Sequence, residues 1–167
     1  MLMGGKMNNW IEGPFVALDF ETTGVDTKIA RPVEVAILLI DGGGKILEEV
    51  HTLVKTGEII PEEASNVHGI TKDKCENEGK DWKSLIVGMN KLMKEYTLNG
   101  LPIIIYNVPY DWSLFIAETE RAVEVVDYTP NFIDPLCLDR KINKYRKGGT
   151  VKVTDIRGRA GPRSCVP

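Results

Sequence analysis

Cysteine is scarce in this chain of 167 residues: Cys75, Cys137 and Cys165 are the whole supply. An odd number at wide spacing fits neither a disulfide framework nor a zinc site. Histidine is scarcer still, with only His51 and His68. No apolar run approaches the roughly 20 residues that span a bilayer. The N-terminal stretch MLMGGKMNNW lacks the apolar core of a signal peptide. These absences predict a cytoplasmic protein with no membrane partner. Net charge is also small, at −3.

What is present describes an ordinary globular domain. Hydrophobic residues make up 43% and charged residues 27%, enough apolar material for a sizeable core. The charge is unevenly spread. Residues 1–139 hold 12 Lys and Arg against 23 Asp and Glu, whereas residues 140–167 hold 9 against one acid, Asp155. A basic end of this kind either tracks a phosphate backbone or is simply a solvated end.

Periodicity gives the elements. FVALDF, 15–20, reads as a strand buried on both faces. PVEVAILLID, 32–41, and KILEEVHTLVK, 45–55, flank a Gly-rich turn and read as a hairpin. Residues 59–71 suggest a loop with a short helix. Residues 81–97 place Trp82, Leu85, Ile86, Met89, Leu92, Met93 and Tyr96 at helical spacing, with Asp81 as N-cap. Residues 101–107 form a short apolar strand, 109–123 a helix with Asn107 as N-cap, 131–138 a strand broken by Pro135, and 139–147 a basic helix. The order β-β-β-α-β-α-β predicts an α/β fold with a mixed five-stranded sheet flanked by helices.

Two carboxylates, Asp19 and Glu21, stand at the end of the first strand. Alternation points both to one face and Phe20 to the other. Like charges losing solvation together raise at least one pKa, and a divalent cation relieves that, since hard oxygen ligands suit Mg²⁺ or Mn²⁺. An isolated D-x-E is equally a polar strand end running into a loop. Asp111 adds a third acid in the first turn of a helix that follows an apolar strand. It either stabilises that helix through the dipole or joins the other two, because parallel strands bring their carboxyl ends to one sheet edge.

FVALDFETTGVD resembles the first motif, D-x-E-T-T-G, of the DEDD-type (DnaQ-like) 3′–5′ exonucleases, which share the ribonuclease H-like fold. IIPEEASNVHGIT resembles their segment ending in H-G-I-T. IIIYNVPYDWSLF resembles their second motif, H-N-x-x-F-D-x-x-x-L, with Tyr106 for His and Tyr110 for Phe. FIDPLCLDRKINKYRKGG resembles the D-P-L-x-L-D-R segment of small stand-alone and phage members. The resemblance covers residues 15–149, an exonuclease-like domain over 1–149. It implies that Asp19, Glu21 and Asp111 hold two divalent cations, Mg²⁺ or Mn²⁺, about 4 Å apart. It implies that Thr22 and Thr23 meet the terminal nucleotide, that His68, Gly69 and Ile70 border the pocket for the last base, and that Asn107 and Tyr110 flank the strand path. The partners implied are a single-stranded nucleic-acid 3′ end and a DNA polymerase.

The family's third motif, H-x4-D on a closing helix, has no counterpart. The last 18 residues, TVKVTDIRGRAGPRSCVP, begin like the run toward that helix and then turn Gly- and Pro-rich, which disfavours a helix by about 1 kcal/mol per Gly and 3 per Pro. Residues 150–167 read as an atypical basic tail, a truncated or frame-shifted end. A fold incomplete there would leave apolar surface for self-association. Two functions follow: an exonuclease impaired by the lost base, or a catalytically silent nuclease-like module that binds nucleic acid or a polymerase.

Overall fold

The computed structural model describes residues 12–142. The tail, with Asp155 and the proposed boundary at residue 149, lies outside the described residues, as do residues 143–147 of the predicted basic helix.

Three strands open the fold: β1 Phe15–Thr22, β2 Pro32–Ile40 and β3 Ile46–Lys55. β1 pairs antiparallel with β2, and β2 with β3. The Gly-rich turn closes the second pairing because Asp41 Oδ1 accepts from Gly43 N–H and Lys45 N–H, both at 2.9 Å. Gly44 supplies the left-handed φ of 86° that this turn requires.

Two short helices follow, α1 Glu62–His68 and α2 Lys72–Glu78. The sequence predicted only one here; α2 has a single buried residue, Cys75, so it carries little apolar periodicity. β4, Lys80–Asp81, pairs parallel with the end of β3. It makes the sheet six-stranded rather than five-stranded. A two-residue strand leaves no alternation to read.

α3, Trp82–Leu98, begins where predicted, with the Asp81 carboxylate accepting from Ser84 N–H at 2.9 Å. β5, Ile103–Ile104, α4, Val108–Arg121, β6, Phe132–Ile133, and α5, Pro135–Ile142, complete the described chain. The strand predicted over 131–138 is thus a two-residue strand and the start of a helix. Pro135 fits the first helical turn, where its missing N–H is no loss. The sheet order is β4-β3-β2-β1-β5-β6, with β5 parallel to both β1 and β6. The predicted fold class holds.

The main core lies between one sheet face and the helices α3 and α4. Val16, Leu18 and Phe20 of β1 meet Val35 and Ile37 of β2, Met89 and Met93 of α3, and Leu114 and Phe115 of α4. β1 is therefore buried on one face only. Its other side chains, Ala17 and Glu21, are half-buried, and Asp19 is exposed.

Candidate active site

β1 sits centrally and delivers its acids at the carboxyl edge of the sheet. Val16 lies opposite Ile103 and Ala17 opposite Ile104 in the parallel pairing with β5. Val16 N–H donates to Pro102 O at 3.0 Å. Strand geometry then turns the Leu18 and Phe20 N–H groups toward the same neighbour. β5 ends at Ile104, before it reaches Phe20. The Asp111 carboxylate takes the vacated ladder position: Oδ1 accepts from Phe20 N–H at 3.2 Å. The residue between Asp19 and Glu21 is thus pinned to the first turn of α4.

Asp111 is only 5% exposed. Burial, and next the negative charge of Asp19, push its carboxyl up from 3.8 to about 7; the Phe20 N–H pulls it back and Glu21 adds a smaller push. Asp19, Glu21 and Asp111 therefore share one electrostatic neighbourhood. They do not form a finished cage: among the described residues, no three His, Cys, Asp or Glu side chains stand as a ready metal-binding cluster. The donor set nonetheless suits a divalent cation. Its oxygens are hard, and a cation would offset the burial and the neighbouring negative charges that raise Asp111.

Glu34 of β2 lies directly across from Glu21. His51 Nε2 stands 3.1 Å from Glu34 Oε1, and His51 shares a row with Asp19 through Ala36. No sequence motif surrounds His51, so its place on this row follows from the sheet register alone.

Tyr110 and Thr22 close over the turn after β1. Thr22 Oγ1 donates to Gly24 O at 2.7 Å and lies 2.6 Å from the Tyr110 hydroxyl, which also donates to Gly24 O. Two hydroxyl protons serve three contacts, so one contact lacks a proton at any moment. Burial raises the Tyr110 pKa, with the Thr22 contact opposing and Asp111 and Glu21 adding to it. Thr23 is engaged by Arg31: its N–H donates to Arg31 O at 2.9 Å and its Oγ1 accepts from Arg31 N–H at 3.0 Å. Its hydroxyl proton is what it retains for another group.

Asn107 occupies the N-cap position of α4 but does not cap it. It is left-handed, with φ 67°, and its side chain makes no cap bond. The cap comes from Asp134 instead. Asp134 Oδ1 accepts from Asn107 N–H at 3.0 Å and from Leu136 N–H at 2.9 Å, and Oδ2 accepts from Val108 N–H at 3.2 Å. One carboxylate thereby caps α4 and α5 together, and these backbone donors hold its pKa below the usual range although burial opposes them. The sequence carried a signal for this, since Asp before Pro is a helix-start pattern.

The H-G-I-T segment is a joint between two helices. Gly69 ends α1 in the left-handed conformation, φ 75°. Ile70 is buried against Val33, Leu53 and Cys75, so its side chain packs in the core rather than facing an open pocket. Thr71 caps α2 by accepting from Lys74 N–H at 3.3 Å. His68 Nδ1 accepts from Ile70 N–H at 3.0 Å, which leaves the proton of the neutral ring on Nε2. That Nε2 is buried and has no hydrogen-bond partner among the described residues.

The profile of the RNase T-type exonuclease family matches residues 16–162. The chain belongs to this exonuclease family. Its sequence is 30% identical over 137 residues to the PolC-type DNA polymerase III of Thermotoga maritima, covering 81% of this chain and 9% of that polymerase. It is 36% identical over 111 residues to an uncharacterized exonuclease of Escherichia phage 186, covering 65% of this chain and 50% of the phage protein. The fold superimposes on Escherichia coli exonuclease I in complex with a dT13 oligonucleotide, with a TM-score of 0.68 and 20% identity, over 81% of this chain and 30% of that one. This exonuclease domain therefore has the ribonuclease H-like fold, and it spans a small part of the polymerases that it matches. No helix among its described residues is long and apolar enough to cross a membrane.

Proposed function

We propose that this domain is a metal-dependent 3′–5′ exonuclease that releases nucleoside monophosphates from a single-stranded nucleic-acid 3′ end. The observation that supports this most directly is the docking of Asp111 on the Phe20 N–H, between Asp19 and Glu21. Asp19, Glu21 and Asp111 are the residues to hold two divalent cations, Mg²⁺ or Mn²⁺. When bound, such ions supply Lewis acidity and a water nucleophile at neutral pH.

The chain's own groups do the positioning. Thr22, Tyr110 and Gly24 shape the turn beside the acids, where a terminal sugar would enter. The His68 Nε2–H is a buried donor without a partner among the described residues, which a substrate acceptor would satisfy. Asn107 presents its side chain from a left-handed turn at the head of α4, where it would flank the strand path while Asp134 holds its N–H. In this reading Gly69 and Ile70 shape the path through their backbone, and Thr23 through its hydroxyl. The polymerase matches support a proofreading setting, with a polymerase as partner.

A second reading has a specific observation in its favour. With His51 and His68 the only histidines, no H-x4-D follows Asp111, where the third motif would fall; the one pair at that spacing, His68 and Asp73, spans the joint between α1 and α2. A positioned base contributes about 10²–10⁴-fold, so the domain is either a slow exonuclease or a silent module that binds nucleic acid or a polymerase. The test is release of mononucleotides from 3′-labelled single-stranded DNA and RNA with Mn²⁺. Slow release that Asp19→Asn abolishes supports the first reading. Retained DNA binding without release, in both proteins, supports the second.

A further inference from the structure

On the helical side of β1 one carboxylate is withdrawn from water and fully engaged. Glu118 of α4 is 2% exposed. Its Oε1 accepts from Arg31 Nη1 at 3.1 Å and from Arg121 Nη1, and its Oε2 accepts from Trp82 Nε1 at 2.6 Å. Arg121 Nη2 donates onward to Lys28 O.

Two of these contacts lead back to the acid-bearing strand end. Trp82 stands edge-to-face against Phe20, with centroids 6.2 Å apart at 82°. Phe20 separates Asp19 from Glu21, and its N–H holds Asp111. Arg31 clamps Thr23 through both of its backbone groups. The same carboxylate thus braces the end of β1 from the ring side and from the loop side.

We infer that Glu118 is a positioning residue of the acid site, which fixes the end of β1 against Asp111 through Trp82 and Arg31. Burying a carboxylate is unfavourable unless it is paired and hydrogen-bonded. An apolar side chain would pack α4 against α3 with no such penalty. It would not set the angle of the indole or hold the Arg31 guanidinium. Removing groups that orient ligands from behind typically costs about 10–100-fold in metal affinity. The inference rests on the proposed role of the acids only for its metal-binding arm.

The test compares the full chain with Glu118→Gln, which keeps the shape and one acceptor, and Trp82→Phe, which keeps a ring against Phe20 but loses the N–H. Lys94→Ala, which removes an exposed pair with Asp127, is the control. Hydrogen exchange at the Phe20 amide is followed by NMR, and Mn²⁺ affinity by titration calorimetry. Glu118→Gln is expected to speed exchange at Phe20 selectively and to weaken Mn²⁺ binding about tenfold. Trp82→Phe is expected to do both to a lesser degree, and Lys94→Ala neither. Unchanged Phe20 exchange and Mn²⁺ affinity in Glu118→Gln would overturn the inference, as would faster exchange spread evenly over α3 and α4. Where Glu118→Gln fails to fold, Trp82→Phe decides by the same two readings. If the unaltered chain binds no Mn²⁺, the proposed function fails, and Phe20 exchange alone decides the role of Glu118.

Discussion

Replacing Asp111 with Asn is expected to stabilise the metal-free domain, and to do so increasingly as pH rises. Asp111 titrates at about 7 when folded, against an ordinary value of 3.8. The folded state therefore keeps a proton that the unfolded chain has lost. Its contribution is full below about pH 4 and drains away as pH climbs toward 7. At 1.36 kcal/mol per pKa unit, the three-unit gap amounts to about 4 kcal/mol at pH 8 and about 2 kcal/mol at pH 5. Asparagine has no charge to lose, and its Oδ1 can still accept from Phe20 N–H. The assay is urea unfolding from pH 4 to pH 8 with a chelator present. The stability curves of the two proteins should meet near pH 4, diverge through pH 7 and then run parallel. A constant offset across this range would refute the placement of a buried carboxyl among like charges. Added Mn²⁺ should narrow or reverse the gap at pH 8, since the Asp111 carboxylate gains more from the cation than the amide that replaces it.

Three other outcomes are expected. Asp134→Ala should lower stability by about 1–2 kcal/mol in calorimetry, because Asn107, Val108 and Leu136 lose one shared acceptor; a change within experimental error would show that α4 needs no cap. Tyr110→Phe should destabilise by only about 0.5–1.5 kcal/mol in urea unfolding, since Thr22 still donates to Gly24 O; a loss far above that would mean the hydroxyl holds more than this turn. Asp19→Asn should weaken Mn²⁺ binding more than Glu21→Gln in titration calorimetry, as the resemblance to the DEDD-type exonucleases implies for the first acid of D-x-E; equal affinity in Asp19→Asn and the unaltered chain would refute the assignment.

The acids at the end of β1 were legible because strand alternation is local: Asp19 and Glu21 share a face whatever surrounds them. The α3 start was legible for the same reason, since the cap from Asp81 reaches only three residues. Asn107 misled because its residue type is a good cap, yet a left-handed backbone turns its side chain away from that task. The group that replaced it, Asp134, is 27 residues distant in the chain, beyond any local pattern. H-G-I-T showed as a motif, but its division into a helix end, a buried anchor and a helix start depends on the second small core beneath it.

The sequence by itself determined the α/β class, the first three strands and the two long helices, and it singled out Asp19, Glu21 and Asp111 as candidates, since each follows from short-range periodicity or from motif spacing. The tertiary structure decided how those acids meet. Only the early end of β5 leaves the Phe20 N–H for Asp111, and only the approach of α4 to Trp82 and Arg31 places Glu118 behind the same strand end. Both depend on contacts between segments far apart in the chain, fixed by packing across the sheet, and no local pattern encodes the length at which a neighbouring strand stops.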